Sequence, residues 1–183
     1  MKRLAISVCL LLALSGLRSV SAAVVAVDFS SFPVSSSTAP EPIELNGFAT
    51  LGTNGELFLE SFSNPGTGAF AGAGPSNSAL IFFDTSQVTV HAVEFAGDAF
   101  GAPVIATAFD AGGVEVDQEA SDIAFTLPIE VMASGGIASI EVRLLEAEVL
   151  SMNIDFTPIP LPAPVLLLLS GVIAVAGWRW RRA

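Results

Sequence analysis

A two-residue alternation of apolar and polar side chains recurs between residues 23 and 157, and it constrains the fold more than any other feature. The segments Ile123–Val131, Leu150–Phe156 and Val25–Phe29 each alternate in this way. A period of two places all the apolar side chains of a strand on one face. We therefore predict β-strands in these three segments, each with one buried face.

Residues that favour turns divide the rest of this region into further short segments, and Asp110-Ala111-Gly112-Gly113 is the clearest hairpin turn. About ten short strands, with no convincing helix before residue 157, predict an all-β fold, an antiparallel β-sandwich. Residues 144–148, at the end of the predicted strand Ile137–Leu145, are good helix formers, so this segment is also compatible with a helix. Long loops are expected at 31–42 and 63–78. The remaining predicted strands are Glu44–Leu51, Glu56–Phe62, Ala79–Phe83, Gln87–Phe95, Pro103–Phe109, Val114–Glu119 and Ile137–Leu145.

Residues 1–22 have the parts of a secretory signal peptide. A basic start is followed by an apolar run, Leu4–Leu14, that is too short to cross a bilayer of about 30 Å. Small residues then lead to Ala22, so we expect signal peptidase to cut after Ala22 or after Ala23. A retained N-terminal anchor is the alternative. Cys9, the only cysteine, would leave with this segment.

The C-terminal end combines a proline-rich spacer, an apolar run and a basic terminus. The alternating prolines of residues 158–164 prevent both a helix and a strand ladder, which predicts a stiff, extended spacer. Residues 165–183 are predicted to form a transmembrane helix with an Arg-rich cytoplasmic tail, so the rest of the chain faces outward. The residues expected to anchor and stop this helix at the membrane interface are Trp178, Arg179, Trp180, Arg181 and Arg182.

This tail resembles the VPLPA-type C-terminal sorting domain, a variant of the PEP-CTERM class. The resemblance implies that an exosortase of a Gram-negative, exopolysaccharide-producing bacterium recognises and cleaves the chain after export through the inner membrane. The product would then reside at the cell surface or in the extracellular matrix. A plain single-pass anchor with a proline-rich stalk is the alternative. The motif residues are Ile159, where the family usually has Val, Pro160, Leu161, Pro162 and Ala163.

The pattern of residues 88–156 also resembles the jelly-roll, galactose-binding-like domains that are common in PEP-CTERM proteins. The resemblance implies the same fold class for the acidic domain at residues 23–157. Charge narrows its partners: one arginine, Arg143, against eighteen carboxylates gives this region a net charge of −17. Such a domain repels nucleic acid, and it binds acidic polysaccharide only where cations bridge the two. We expect Arg143 to pair with a neighbouring carboxylate such as Glu141.

A group of carboxylates around one predicted strand raises the possibility of calcium binding. Carboxylate oxygens at this spacing are the ligands that Ca²⁺ prefers. The plainer interpretation is a solvated outer face, opposite Val114 and Val116 on the inner face. No other cofactor is predicted. The candidate Ca²⁺ ligands are Asp110, Glu115, Asp117 and Glu119.

No catalytic residue is predicted, and we expect that the chain is not an enzyme. One histidine, His91, and one cysteine cannot supply the four ligands of a Cys/His zinc site, and no Gly-x-Ser-x-Gly elbow occurs. We expect a structural or surface role for His91. The leading hypothesis is therefore an exported, exosortase-sorted surface or matrix protein with a non-catalytic sandwich. One alternative is a Ca²⁺-dependent module that binds exopolysaccharide. Another is a secreted glycosidase with two carboxylates, although residues 23–157 contain no Trp or Tyr to stack on a sugar ring.

Overall fold

The computed structural model of the protein describes residues 21–32, 42–54, 57–59, 61, 68–72, 78–124, 128–144 and 147–160. The predicted signal peptide lies outside these residues except for its last two positions, and the sorting tail lies outside them from Leu161 onward. Signal cleavage and sorting therefore stay predictions. In the part that is described, no helix is both long and apolar enough to cross a membrane.

The described residues form twelve β-strands and a single turn of 3-10 helix, Phe29–Ser31, so the predicted all-β fold is confirmed. The strands alternate between buried and exposed positions, as the two-residue sequence period requires. Their bounds are β1 Ala23–Asp28, β2 Ile43–Asn46, β3 Ala49–Asn54, β4 Leu57–Leu59, β5 Phe70–Gly72, β6 Ser78–Phe83, β7 Val88–Ala99, β8 Ile105–Phe109, β9 Glu115–Ala120, β10 Ile129–Ile137, β11 Ser139–Arg143 and β12 Ala147–Pro158.

The strands pair into two six-stranded antiparallel sheets. Sheet 1 has the order β10-β7-β12-β5-β4, and β1 pairs with β12 beside β5. Sheet 2 has the order β2-β3-β6-β11-β8-β9. One apolar core receives side chains from both sheets, including Phe95 and Ile154 of sheet 1 and Ile81 and Ile140 of sheet 2, all with no exposed surface. The sheets therefore bury one face each.

Sheet 1 is organised around the pairing of its two longest strands. β12 runs antiparallel to β7 from Ala147, opposite Ala99, to Pro158, opposite Val88. Ile159 continues this edge, because its backbone N–H donates to the carbonyl oxygen of Gln87 at 2.7 Å. Pro158 is the last residue of β12, so the prediction that the prolines of residues 158–164 prevent a strand ladder is wrong at this position, because a proline at a strand end leaves out only one N–H donor. The ordered sheet extends to Ile159, the first residue of the predicted sorting motif.

Some predicted element bounds are wrong. Glu44–Leu51 is a hairpin with its turn at residues 47 and 48, and the predicted loop 63–78 contains β5. Ile123 lies in a turn and is 63% exposed, because the strand that the alternation predicted starts only at Ile129. Of the helix formers at residues 144–148, Ala147 and Glu148 lie in β12, where pairing with β7 and β5 outweighs their local helix preference.

The hairpin turn predicted at residues 110–113 is confirmed. Asp110 Oδ1 accepts hydrogen bonds from the backbone N–H groups of Gly112 at 2.8 Å and Val114 at 2.9 Å. Gly113 has a φ of +75°, a left-handed conformation that glycine adopts without strain. The short polar side chain and the glycine together fix the connection between β8 and β9.

Candidate functional site

A row of side chains crosses the outer face of sheet 2 from one edge to the other. Each member lies directly opposite the next in the register of neighbouring strands. Two phenylalanines in the row are separated by a hydroxyl side chain, and a carboxylate lies at each end. We call this set the cross-strand row, and its members are Glu44 on β2, Thr50 on β3, Phe82 on β6, Ser139 on β11, Phe109 on β8 and Glu115 on β9.

Strand alternation explains why the two rings of the row point outward. In β6, the neighbours Ile81 and Phe83 are buried in the core, which leaves Phe82 on the opposite face with 48% of its surface exposed. In β8, Ala108 is buried against the core, so the next side chain, Phe109, lies on the outer face and is half-buried there. The row therefore presents aromatic surface to solvent.

The ring of Phe82 lies beside a glycine of the neighbouring strand. A Cβ atom built on Gly52 would lie 3.8 Å from Cε2 of Phe82 and 3.7 Å from the carbonyl oxygen of Leu80. Both are ordinary van der Waals distances, so the ring lies beside position 52 of β3, and almost half of the Phe82 side chain stays in contact with solvent.

The β2 end of the row deepens into a groove of about 310 Å³. Its walls combine aromatic surface with carboxylate and hydroxyl oxygens. This combination suits a polar ligand that also has an apolar face. The lining residues are Glu44, Gly47, Phe48, Ala49, Thr50, Phe82, Phe83 and Asp84.

Asp84 is fixed in the groove wall by the turn that follows it. Its Oδ1 accepts hydrogen bonds from the backbone N–H of Ser86 at 3.0 Å and from the Ser86 hydroxyl at 2.5 Å. Its Oδ2 accepts one from Nε2 of Gln87 at 2.5 Å. These hydrogen bonds, that of the Ser86 hydroxyl most of all, lower the pKa of Asp84 below its ordinary value. The carboxylate is therefore a fixed acceptor and a poor proton donor.

Backbone and side-chain contacts join this turn to the β2–β3 hairpin. The N–H of Asp84 donates to the carbonyl oxygen of Phe48 at 2.8 Å, and Nε2 of Gln87 also reaches the carbonyl oxygen of Gly47 at 3.4 Å. The ring of Phe48 packs against that of Phe156, with centroids 4.5 Å apart. The groove is therefore built on connected elements of both sheets.

Polar side chains beside the row are already paired with one another. Nε2 of Gln118 donates to Oγ1 of Thr107 at 2.8 Å. Nε of Arg143 lies 3.6 Å from Oε1 of Glu141, so the predicted pairing of this arginine is confirmed. The only cation of residues 23–157 is thus held by a carboxylate, and the part of the row that accepts hydrogen bonds has no basic side chain.

The four candidate Ca²⁺ ligands have separate roles. Asp110 accepts the hydrogen bonds of the β8–β9 turn. Asp117 accepts at Oδ2 from the backbone N–H of Met132 on β10 at 2.7 Å, while Glu115 and Glu119 are exposed. Over the whole described part of the chain, no group of three or more His, Cys, Asp or Glu side chains could hold a metal ion. The structure therefore does not bring the four together.

The interpretation of β9 with its valines inside is wrong. Val114 is 62% exposed and Val116 is 39% exposed. Asp117 lies opposite Ala108 of β8, which faces the core, so the carboxylate is on the inner side of the sheet. This inward orientation is tolerated because β9 is an edge strand that reaches past the core and lies beside β10, where Asp117 finds its donor.

His91 has a hydroxyl partner in sheet 1. Its Nε2 lies 2.8 Å from Oγ1 of Thr157 on β12. The residue is half-buried and sits where the β7–β12 register shifts, between the pairs Asp155–Ala92 and Phe156–Val90. Its contact with a threonine fits the structural or surface role that the sequence predicted.

Sequence reasoning missed two features of the molecule. Glu148 is fully buried on β12, and its Oε1 accepts a hydrogen bond from the hydroxyl of Ser61 at 3.1 Å. It lies opposite Asp98 of β7, and the helix-forming residues around it gave no sign of a buried strand. Phe82 was missed because the run Ala79–Phe83 is apolar without a break, so the outward position shows no polar residue.

Comparison with known proteins found no match to a protein-family model and no match among the curated proteins. Among solved structures, a mutant of the lectin-binding domain of lectinolysin complexed with Lewis b is 16% identical, with 78% of this chain and 94% of that chain covered and a TM-score of 0.33. An arabinose-bound α-L-arabinofuranosidase is 12% identical, over 72% of this chain and 25% of that chain, with a TM-score of 0.31. The cleaved adhesin domain of Lys-gingipain from Porphyromonas gingivalis is 11% identical, over 74% and 96%, with a TM-score of 0.29. These scores are too low to transfer a property to this chain.

Proposed function

We propose that this chain is an exported, non-catalytic β-sandwich that binds neutral carbohydrate with the outer face of sheet 2. The observation that carries the proposal is the cross-strand row, in which the rings of Phe82 and Phe109 alternate with hydroxyl and carboxylate side chains. The C–H face of a sugar stacks on an aromatic ring, and sugar hydroxyls donate hydrogen bonds to carboxylates. The row offers both kinds of contact on one surface.

Charge indicates a neutral ligand. The row ends in Glu44 and Glu115, and Arg143, the one cation of residues 23–157, is held by Glu141 beside it. An anionic polysaccharide would meet a surface of the same sign and would need bridging cations. A neutral sugar brings hydroxyl donors that match the carboxylate and hydroxyl acceptors of the row. Neutral glycans of the extracellular matrix are therefore the favoured ligand class.

A glycosidase is the less favoured alternative, although two carboxylates line the same groove. A glycosidase needs a general acid whose pKa is raised, because that group must hold a proton until it transfers it to the leaving group. Asp84 has a lowered pKa, and its two oxygens already accept hydrogen bonds from Ser86 and Gln87. Asp84 could therefore serve only as the base or nucleophile, and a hydrolase would need Glu44, an exposed side chain of the groove lining, as its acid. We therefore favour binding without hydrolysis.

The same proposal includes the location of the protein. A sorting tail of the VPLPA type, cleaved by an exosortase, would place a jelly-roll, galactose-binding-like sandwich at the cell surface or in the matrix. The hydrogen bond of Ile159 to Gln87 would then hold the start of the tail beside the groove-wall turn. Fusing residues 157–183 to an exported reporter tests the sorting. Equal processing of the fusion in cells with and without an exosortase would contradict it.

The binding proposal is tested with the full chain and a panel of immobilised polysaccharides, neutral and acidic, with and without a calcium chelator. We expect retention on neutral polysaccharides that survives the chelator, and no release of reducing ends. Retention only in the presence of Ca²⁺ would support a cation-dependent module instead. Release of sugar would establish a hydrolase, and no retention on any polysaccharide would overturn carbohydrate binding.

A further inference from the structure

The geometry of the cross-strand row points to a more specific ligand, and this inference rests on the carbohydrate-binding function proposed above. We propose that the row binds an unbranched, β-1,4-linked neutral glycan that lies across the strands, with one sugar over each strand.

The spacing of the rings follows from the order of the strands. Phe82 is on β6 and Phe109 is on β8, and β11 lies between these strands with Ser139 in the same row. Neighbouring strands lie about 4.8 Å apart, so the strands that carry the rings are about 10 Å apart. A β-1,4-linked chain of pyranoses is extended, and each sugar advances it by nearly one strand spacing. Two sugars therefore correspond to the separation of the two rings.

The alternation of the row matches the alternation of such a chain. Successive sugars of a β-1,4 chain are flipped by half a turn, so every second sugar presents the same face. The first and third sugars can then stack on Phe82 and Phe109 with the same face. The sugar between them lies over Ser139, where a hydroxyl can exchange hydrogen bonds with it. An α-1,4 chain curves, so it cannot keep both rings in contact.

The groove extends the row beyond Phe82. Thr50 and Glu44 continue the line over β3 and β2, and both line the groove together with Asp84. Asp84 is held there as an acceptor by Ser86 and Gln87. A further sugar at this end would meet three oxygen-bearing side chains and the edge of the Phe82 ring. The β2 end is thus suited to sugar hydroxyls, and the middle of the row to sugar faces.

The test compares two ladders of oligosaccharides, two to six sugars long, by isothermal titration of the full chain. One ladder is cello-oligosaccharides, which are β-1,4-linked, and the other is malto-oligosaccharides, which are α-1,4-linked. We expect the affinity for the cello series to rise about two- to tenfold from the disaccharide to the trisaccharide, where a second ring is first engaged. The malto series should show no such step.

The Phe109→Leu variant keeps an apolar side chain in the half-buried position but removes the ring. It should abolish the step between two and three sugars and leave the disaccharide affinity unchanged. Phe100→Leu, at a phenylalanine that is 47% exposed outside the row, is the matched control and should keep the step. A thermal unfolding midpoint for each variant verifies that it folds.

The results distinguish a β-1,4-linked ligand from carbohydrate binding in general. A cello ladder without a step, or an equal step in the malto ladder, would overturn the linear β-1,4 ligand. If the chain were still retained on a neutral polysaccharide, carbohydrate binding itself would stand. A step that persists in Phe109→Leu would also overturn the inference, because the second ring would then not be part of the contact.

Discussion

Replacing Gly97 with alanine should destabilise the sandwich strongly. Gly97 lies on β7 opposite Val149 of β12, in the longest strand pairing of sheet 1. A Cβ atom at this position would overlap the carbonyl oxygen of Glu148 and lie 2.9 Å from the Cα of Val149. Both obstacles are backbone atoms, so no side-chain rotation relieves the overlap, and the two strands must separate locally.

The expected loss of stability follows from the packing and the ladder hydrogen bonds that this strand separation disturbs. Overpacking of a fitted site costs about 1–3 kcal/mol. Each ladder hydrogen bond that is stretched or lost costs about 1 kcal/mol more. We therefore expect Gly97→Ala to lower the free energy of unfolding by about 2–4 kcal/mol. For a domain of this size, the thermal midpoint should fall by about 10 °C.

Gly135→Ala is the matched control, because this glycine is also in a strand but has no atom within 4 Å of the position of the new Cβ. It should leave the free energy of unfolding unchanged or raise it by about 0.5 kcal/mol, since alanine restricts the unfolded chain. Urea denaturation followed by circular dichroism measures both variants. A loss below about 1 kcal/mol for Gly97→Ala would refute the close approach of β7 and β12.

Three further predictions concern polar contacts. The lowered pKa of Asp84 stabilises the folded state fully above the ordinary value of 3.8, and this contribution is lost as the pH falls through the folded-state pKa. Asp84→Asn should therefore remove part of the acid sensitivity that unfolding measurements show between about pH 5 and 2. Equal pH profiles for the variant and the parent chain would contradict this role. Glu148→Ala should lower the free energy of unfolding by about 2–4 kcal/mol, because it leaves a cavity and removes the hydrogen-bond partner of the Ser61 hydroxyl. Glu148→Gln should lower it less. Equal losses for the two variants in urea denaturation would argue against the buried hydrogen bond. Asp117→Ala frees the backbone N–H of Met132 on an edge strand, so it should cost about 1 kcal/mol and increase self-association in sedimentation velocity. Unchanged sedimentation together with unchanged stability would argue against this role.

Patterns within single strands were the most predictable part of the fold. The alternation of residues 150–156 and 25–29 predicted the faces of β12 and β1, because a period of two has only one structural solution when one face is buried. Asp110 and Gly113 predicted their hairpin, because their conformational preferences act locally. These features depend on neighbours in sequence, which the sequence displays directly.

Features that depend on neighbours in space were not predictable. The hairpin between β2 and β3 was missed although Asn46-Gly47 is a local turn signal, and only the packing of Phe48 on Phe156 of the other sheet depends on neighbours in space. The predicted inner face of β9 was wrong, because the alternation of side chains alone does not say which face of a strand meets the core. Asp117 faces inward since β10 supplies a donor that is close only in the folded chain.

The candidate site was hidden for the same reason. Glu44, Phe82 and Ser139 are far apart in sequence, and only the strand order brings them into one row. Their residue types carry no motif, and the absence of Trp and Tyr argued against a sugar platform. Only the strand register of sheet 2 places these separate residues on one surface.

The most direct test of carbohydrate binding compares Phe82→Ala with Phe100→Ala in the full chain. The two phenylalanines are 48% and 47% exposed, but only Phe82 belongs to the cross-strand row. Their dissociation constants for a neutral matrix polysaccharide are measured side by side. We expect Phe82→Ala to weaken binding about tenfold and Phe100→Ala to leave it unchanged. Equal affinities in the two variants would show that the outer face of sheet 2 does not bind the sugar.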